Sequence, residues 1–86
     1  MDINQLIEIV KNKLNNSIVC DNIEVEDKTF LHKNHKSHDK NKFHIKLTIT
    51  SDYLKKKNKI QSTKEIYKIL EKELKENIHS IQILIN

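Results

Sequence analysis

The 86-residue chain contains no glycine, no proline, no arginine and a single cysteine, Cys20. Without glycine it has neither a phosphate-cradling loop nor the Gly-x-x-Gly clamp with which KH domains hold a nucleic-acid backbone. Without arginine it lacks the usual bidentate reader of guanine and phosphate, which weighs against sequence-specific DNA recognition. One cysteine excludes an intramolecular disulfide and fits a reducing compartment. The start, Met1-Asp2, has no basic stretch followed by a continuous apolar one. No run approaches the roughly 20 apolar residues of a membrane span. The expectation is a cytoplasmic protein without membrane association, with nucleus and mitochondrion left open. A chain of this length predicts one domain over 1–86, with room for one small core but not for an interdomain catalytic cleft.

Charge and histidine are abundant instead. Charged residues make up 33% of the chain and the formal net charge is +4, with lysine supplying every side-chain cation. The excess of lysine, asparagine and isoleucine is a bias of the whole sequence, so single lysine clusters carry little weight. Lysine still provides nonspecific, salt-screened attraction to phosphate. Of the five histidines, His32, His35, His38 and His44 fall in one stretch, and His79 lies in the apolar tail from Ile78 to Ile85. Imidazole is the commonest neutral nitrogen ligand of metals. The central question is therefore whether the fold brings His79 beside the histidine-rich segment.

Ile3, Leu6, Ile7, Val10 and Leu14 recur at helical spacing behind a possible Asp2/Gln5 capping pair, predicting a helix over 2–16 ended by Asn15 and Asn16. Residues 22–27 alternate, with Ile23 and Val25 on one face, and Phe43, Ile45, Leu47 and Ile49 alternate with His44, Lys46, Thr48 and Thr50. Both are half-buried strands, and His44 falls on the polar face, as a structural or surface residue. Ser51-Asp52 starts a short helical turn through Leu54. Ser62 with Glu65 forms a capping box for a helix over 63–76. His79, Ile81, Ile83 and Ile85 share one parity, which places His79 at the opening of the last strand's inner face. The order is helix-strand-strand-helix-helix-strand. A hairpin followed by a helical crossover predicts an α+β domain with a three-stranded mixed sheet and helices on one face.

These residues carry a resemblance to the BolA-like family over nearly the whole chain. Ile23-Glu24-Val25-Glu26-Asp27-Lys28-Thr29, followed by His32 and His35, resembles the family's Val-x-Asp-x-Ser/Thr strand leading into His-x-Gly-His. His44 through Tyr67 resembles the His-Phe strand, the Ser-Asp-x-Phe turn at Ser51-Asp52-Tyr53-Leu54, and the following helix. Leu70-x-x-x-Leu74 and Ile78-His79-Ser80-Ile81 resemble Leu-x-x-Glu-Leu and Ile/Val-His-Ala-Leu. The chain departs from the pattern where Ser62-Thr63-Lys64 replaces Arg-His-Arg, where Ile45 replaces Phe, and where Asn34 and Lys56 replace glycines. Asparagine tolerates left-handed backbone, whereas Lys56 is a place where the turn can differ. Loss of Arg-His-Arg weakens any contact made through that basic helix start.

The resemblance implies a non-enzymatic partner of monothiol Cys-Gly-Phe-Ser glutaredoxins, monomeric and without a tightly bound cofactor when alone. In the heterodimer a 2Fe-2S cluster is shared with glutaredoxin and glutathione. His79 is then a metal ligand, joined by His35 or, next, His32. A histidine in place of cysteine raises the reduction potential of such a cluster. The implied role lies in iron-sulfur cluster trafficking or iron regulation. Two rivals stand beside it. A zinc site from His32, His35 and His38 lacks a cysteine partner and has only Asp39 as carboxylate. Nucleic-acid binding of a transcription-regulatory kind would use Lys55, Lys56, Lys57, Lys59 and Lys64, in an element order also found in type II KH domains. Cys20 sits away from the histidines, and no nucleophile is paired with a base by spacing.

Overall fold

The computed structural model describes residues 1–29 and 42–86. In chain order the elements are α1 (Ile3–Ser17), β1 (Asn22–Asp27), β2 (Phe43–Thr50), α2 (Asp52–Lys55), α3 (Lys59–Ile69), α4 (Glu71–Glu76) and β3 (Ile78–Ile85). The strand order is β1-β2-β3. β1 and β2 pair antiparallel, with Ile23 opposite Ile49 and Val25 opposite Leu47, and β3 returns parallel to β2 after the helices. This is the α+β domain with a mixed three-stranded sheet that the periodicities predict.

Leu6, Val10 and Leu14 of α1 and Ile66 and Leu70 from the later helical segment are fully enclosed with Leu47 and Ile49 of β2. The helices thus cover the sheet face that carries the apolar parity, and each enclosed Leu or Ile contributes about 1.5–3 kcal/mol. The other face presents Glu24, Glu26, Lys46 and Thr48, together with His44.

Local hydrogen bonds set the boundaries. The Asp2 carboxylate accepts the Gln5 N–H at 2.8 Å while the Gln5 side-chain oxygen accepts the Asp2 N–H at 3.0 Å, completing the capping box. Asn15 and Asn16 do not end α1. It continues to Ser17, because the Ile18 N–H still reaches the Leu14 carbonyl at 2.9 Å, and Ile18 then turns to extended backbone with its side chain buried. Ser51 caps α2: its hydroxyl accepts the Leu54 N–H at 3.2 Å and donates to the Val19 carbonyl at 2.8 Å. One buried hydroxyl therefore both starts a helix and fastens the α1–β1 connection. Ser51→Ala should cost about 2 kcal/mol, a lost cap plus an unsatisfied carbonyl, measured as a lower urea midpoint with unchanged slope.

The long helix differs from its sequence expectation at both ends. It begins at Lys59, capped by the Asn58 side chain, which accepts the Gln61 N–H at 2.9 Å. Ser62 lies inside the helix, buried, with its hydroxyl donating to the Leu54 carbonyl at 2.8 Å. Glu65 cannot complete a box with Ser62 because its carboxylate is held by Tyr53 and Lys57. The run is also interrupted at Leu70, where φ is −98° and ψ is 16°. Hydrogen bonds still cross the break, from Leu70 N–H to Ile66 and from Leu74 N–H to Leu70. Burial of the Leu70 side chain, rather than a glycine or proline, accompanies the bend. Among the described residues none has positive φ. Lys56 takes right-handed backbone, φ −70° and ψ −19°, so the turn after α2 needs no glycine.

Candidate metal centre at the start of the last strand

The ladder between β2 and β3 contains one irregularity. Phe43 is opposite Ile78, but His44 is opposite Ser80, so His79 is the extra residue of a bulge. A bulge reverses the expected parity by one step and re-aims a side chain. Ile78 is buried at 2% exposure, whereas His79 is exposed. The inner-face placement of His79 expected from simple alternation is therefore corrected. Ile78 opens the inner face, with Ile81, Ile83 and Ile85 packed against the core after it.

The same bulge brings His79 and Ser80 to the outer face beside His44. The His44 and His79 ring centroids are 4.8 Å apart, with ring planes inclined at 52°. His44 Nδ1 is hydrogen-bonded to Ser80 Oγ at 2.6 Å. Although it lies on the polar parity of β2, His44 is only 4% exposed, so its role is structural and not that of a surface residue. Its backbone is held as well. The His44 N–H donates to Thr29 Oγ1 at 3.2 Å, and its carbonyl accepts the Lys28 N–H at 2.7 Å. Asp27 in turn accepts both the Thr29 N–H and hydroxyl, at 3.0 and 2.5 Å. The Asp-x-Thr spacing at the end of β1 is thus an Asx-type turn, and it leads into the segment carrying His32 and His35.

His32, His35 and His38 lie outside the described residues, and so does the zinc arrangement built from them. Among the described residues no group of three or more His, Cys, Asp or Glu is placed to hold a metal ion. A metal at His79 therefore needs further donors from the histidine segment or from a partner. Beside the pair, a concavity of about 370 Å³ on the outer face is flanked by Lys28 and Lys46, with Lys28 also 3.5 Å from Glu26.

Cys20 lies away from the His44–His79 pair. It precedes β1, at the end of the sheet where Asn22 meets Thr50, and its thiol donates to Asn15 Oδ1 at 3.4 Å. Burial, aided by the carboxylate of Asp21, pushes its pKa up. Alkylation by iodoacetamide should accordingly be slow at pH 7, with its rate inflection above the usual thiol value of about 8.5.

The lysines singled out as a nucleic-acid rim sit elsewhere. Lys55, Lys57 and Lys59 border a groove of about 260 Å³ with Leu54, Ile83 and Leu84, while Lys56 and Lys64 do not line it. This groove meets the far end of β3, about 20 Å along the strand from His79 at ordinary strand rise. Lys57 is committed within the chain, 3.0 Å from Glu65 and 4.6 Å above the Tyr53 ring. Its bonds to Tyr53 and Glu65 hold its ammonium above the usual range. For Glu65, burial pushes upward, but the hydrogen bonds from Lys57 and Tyr53 outweigh it and keep the carboxyl low.

Sequence reasoning singled out His79 but not the contacts that His44 makes with it and with Ser80. Their signal lies in cross-strand pairing, which needs the register of two strands separated by the 27 residues of helix and turn from 51 to 77. No helix among the described residues is long and apolar enough to cross a membrane.

Comparison with known proteins agrees with this architecture. A search of curated protein sequences finds no match. Among solved structures, the BolA domain of SufE1 from Arabidopsis thaliana superposes with a TM-score of 0.82 at 27% identity, covering 99% of this chain and 94% of that one. BolA1 from Arabidopsis thaliana gives 0.78 at 20% identity over 93% and 88% of the two chains, and BolA1 from Mus musculus gives 0.74 at 15% over 92% and 62%. The family model described as BolA-like protein matches residues 14–86, a span that takes in β1, the His44–Ser80 contact and the bulge at His79. The chain belongs to the BolA-like protein family.

Proposed function

We propose that this protein is a non-enzymatic adaptor that binds a monothiol Cys-Gly-Phe-Ser glutaredoxin and shares with it a 2Fe-2S cluster as cargo, in cluster trafficking or iron regulation. The observation that carries this reading is the exposed imidazole of His79, re-aimed by the β3 bulge to the outer face of the sheet. A ligand to a group shared between two proteins has to be reachable from outside, and a histidine enclosed in the core would not be. The donor chemistry fits: His79 supplies one neutral nitrogen, His35 or His32 a second, and glutaredoxin and its glutathione the thiolates. A thiolate-ligated cluster is anionic, and Lys28 and Lys46 beside His44 give the approaching partner a positive border. The cluster, when bound, supplies one-electron chemistry and transferable iron and sulfide. The chain's own residues hold the ligand in place and leave the inner face as core.

Nucleic-acid binding through the lysine rim carries less weight. One of its lysines is already paired with Glu65, two do not reach the groove, and the exposed acids Glu71 and Glu76 offset Lys68, Lys72 and Lys75 nearby.

Anaerobic reconstitution with a Cys-Gly-Phe-Ser glutaredoxin, glutathione, iron and sulfide tests the proposal. The wild type should form a heterodimer whose visible absorption and circular dichroism differ from those of the glutaredoxin homodimer, and His79→Ala should lose or alter that spectrum. Absence of any association, with or without cluster, refutes it.

A further inference from the structure

Among the described residues, a chain of side-chain hydrogen bonds runs from the end of β1 to the bulge of β3 through one residue, His44. The Asp27 carboxylate holds Thr29, the Thr29 hydroxyl oxygen holds the His44 N–H, and His44 Nδ1 holds Ser80 Oγ. His44 also lies against the His79 ring. It is buried to 4% exposure on the sheet face that also carries Glu24, Glu26, Lys46, Thr48, Gln82 and Leu84. A buried imidazole there is not needed to fill the core, which lies on the opposite face. Ser80, itself exposed, stands where the family pattern quoted above has alanine, a residue that cannot make this bond.

We propose that His44 is a positioning residue for His79: braced by Ser80 and Thr29, its ring fixes the bulge and the orientation of the His79 imidazole. The proposal deepens the adaptor reading and rests on it for its consequence, since a pre-oriented ligand lowers the ordering cost of binding and slows release. Hydrogen-bonded groups behind a metal-binding histidine typically change metal affinity 10–100-fold when removed. A tilted contact at 4.8 Å also places the His79 ring protons in the magnetic environment of a neighbouring aromatic ring, which gives a signature independent of any metal.

The test uses Ser80→Ala, which removes an exposed hydroxyl and leaves the fold intact, and Ser80→Thr, which keeps the hydroxyl. In the free protein at one fixed pH, the His79 ring carbon–proton signals should move toward solvent-exposed values in Ser80→Ala. They should return in Ser80→Thr, with the melting temperature and the other β2 and β3 amide signals unchanged. His44→Phe, which retains an aromatic ring but not the bond, should broaden or shift the same signals. In the glutaredoxin complex, Ser80→Ala should release the cluster to a chelator about 10-fold faster, and Ser80→Thr should restore the wild-type rate. Unchanged His79 ring signals in Ser80→Ala, or a release rate within twofold of wild type from a complex that does form, overturns the positioning role. If the wild type forms no cluster complex, the adaptor reading falls instead, and the ring signals of the free protein still decide whether His44 orients His79.

Discussion

Replacing Lys13 by methionine should destabilise the protein by about 2 kcal/mol, and adding Glu73→Leu to that variant should restore most of the loss. The Lys13 ammonium contacts both Glu73 carboxylate oxygens at 2.8 Å, joining α1 to α4. The two sides are unequal. The Glu73 side chain is 5% exposed and that of Lys13 39%. Removing one partner of a buried pair typically costs about 3–5 kcal/mol, because an uncompensated charge is left behind. The partial exposure of Lys13 means water already shares its charge, which lowers the expected cost. Removing both charges and inserting an apolar side chain of similar volume takes away the desolvation penalty as well, so the double variant approaches wild type. Urea unfolding of the two single variants and the double variant measures the coupling. A Lys13→Met midpoint equal to wild type would show that the pair contributes nothing.

That ion pair also shows where legibility from sequence ends. Within its own helix Glu73 reads as one of three glutamates alternating with lysines on a solvated face, and helix-local spacing offers no reason to think otherwise. Its partner is 60 residues away, so its burial became visible only with the packing of α1 on the later helices. Elements whose signal is local were legible: the Asp2/Gln5 cap, the alternation of β2, the Ser51 turn and the parallel return of β3 through a helical crossover. Elements decided by register were not. The bulge at His79 shifts parity by one residue without any glycine to mark it, and the bend at Leu70 occurs at an ordinary leucine. The start of α3 was misplaced because Ser62 and Glu65 have capping spacing but are already engaged, Ser62 with Leu54 and Glu65 with Tyr53 and Lys57. His79 itself was singled out by motif and not by its surroundings, which explains why its face was misplaced.

His79→Cys should separate a ligand from a merely nearby residue more sharply than deletion does. If His79 holds iron in the glutaredoxin complex, a thiolate in its place keeps a donor on the metal but adds a negative charge to it. Negative charge stabilises the oxidised cluster, and histidine-for-cysteine replacement on one iron accounts for potentials hundreds of millivolts apart between cluster classes. With a single ligand exchanged, the reduction potential of the reconstituted heterodimer should fall by on the order of 100 mV or more. The cluster should also resist release to chelators, because a thiolate is the stronger donor to iron. The exposed position of His79 on the bulge makes the substitution tolerable, since no core contact is lost and the melting temperature should change little. Anaerobic redox titration of the wild-type and variant complexes, followed by visible circular dichroism, gives both potentials directly. A cluster that persists in His79→Cys with its potential unchanged within about 30 mV, less than a factor of ten for a one-electron couple, would remove His79 from the coordination sphere. The donor in its place would then come from the histidine segment or from the partner.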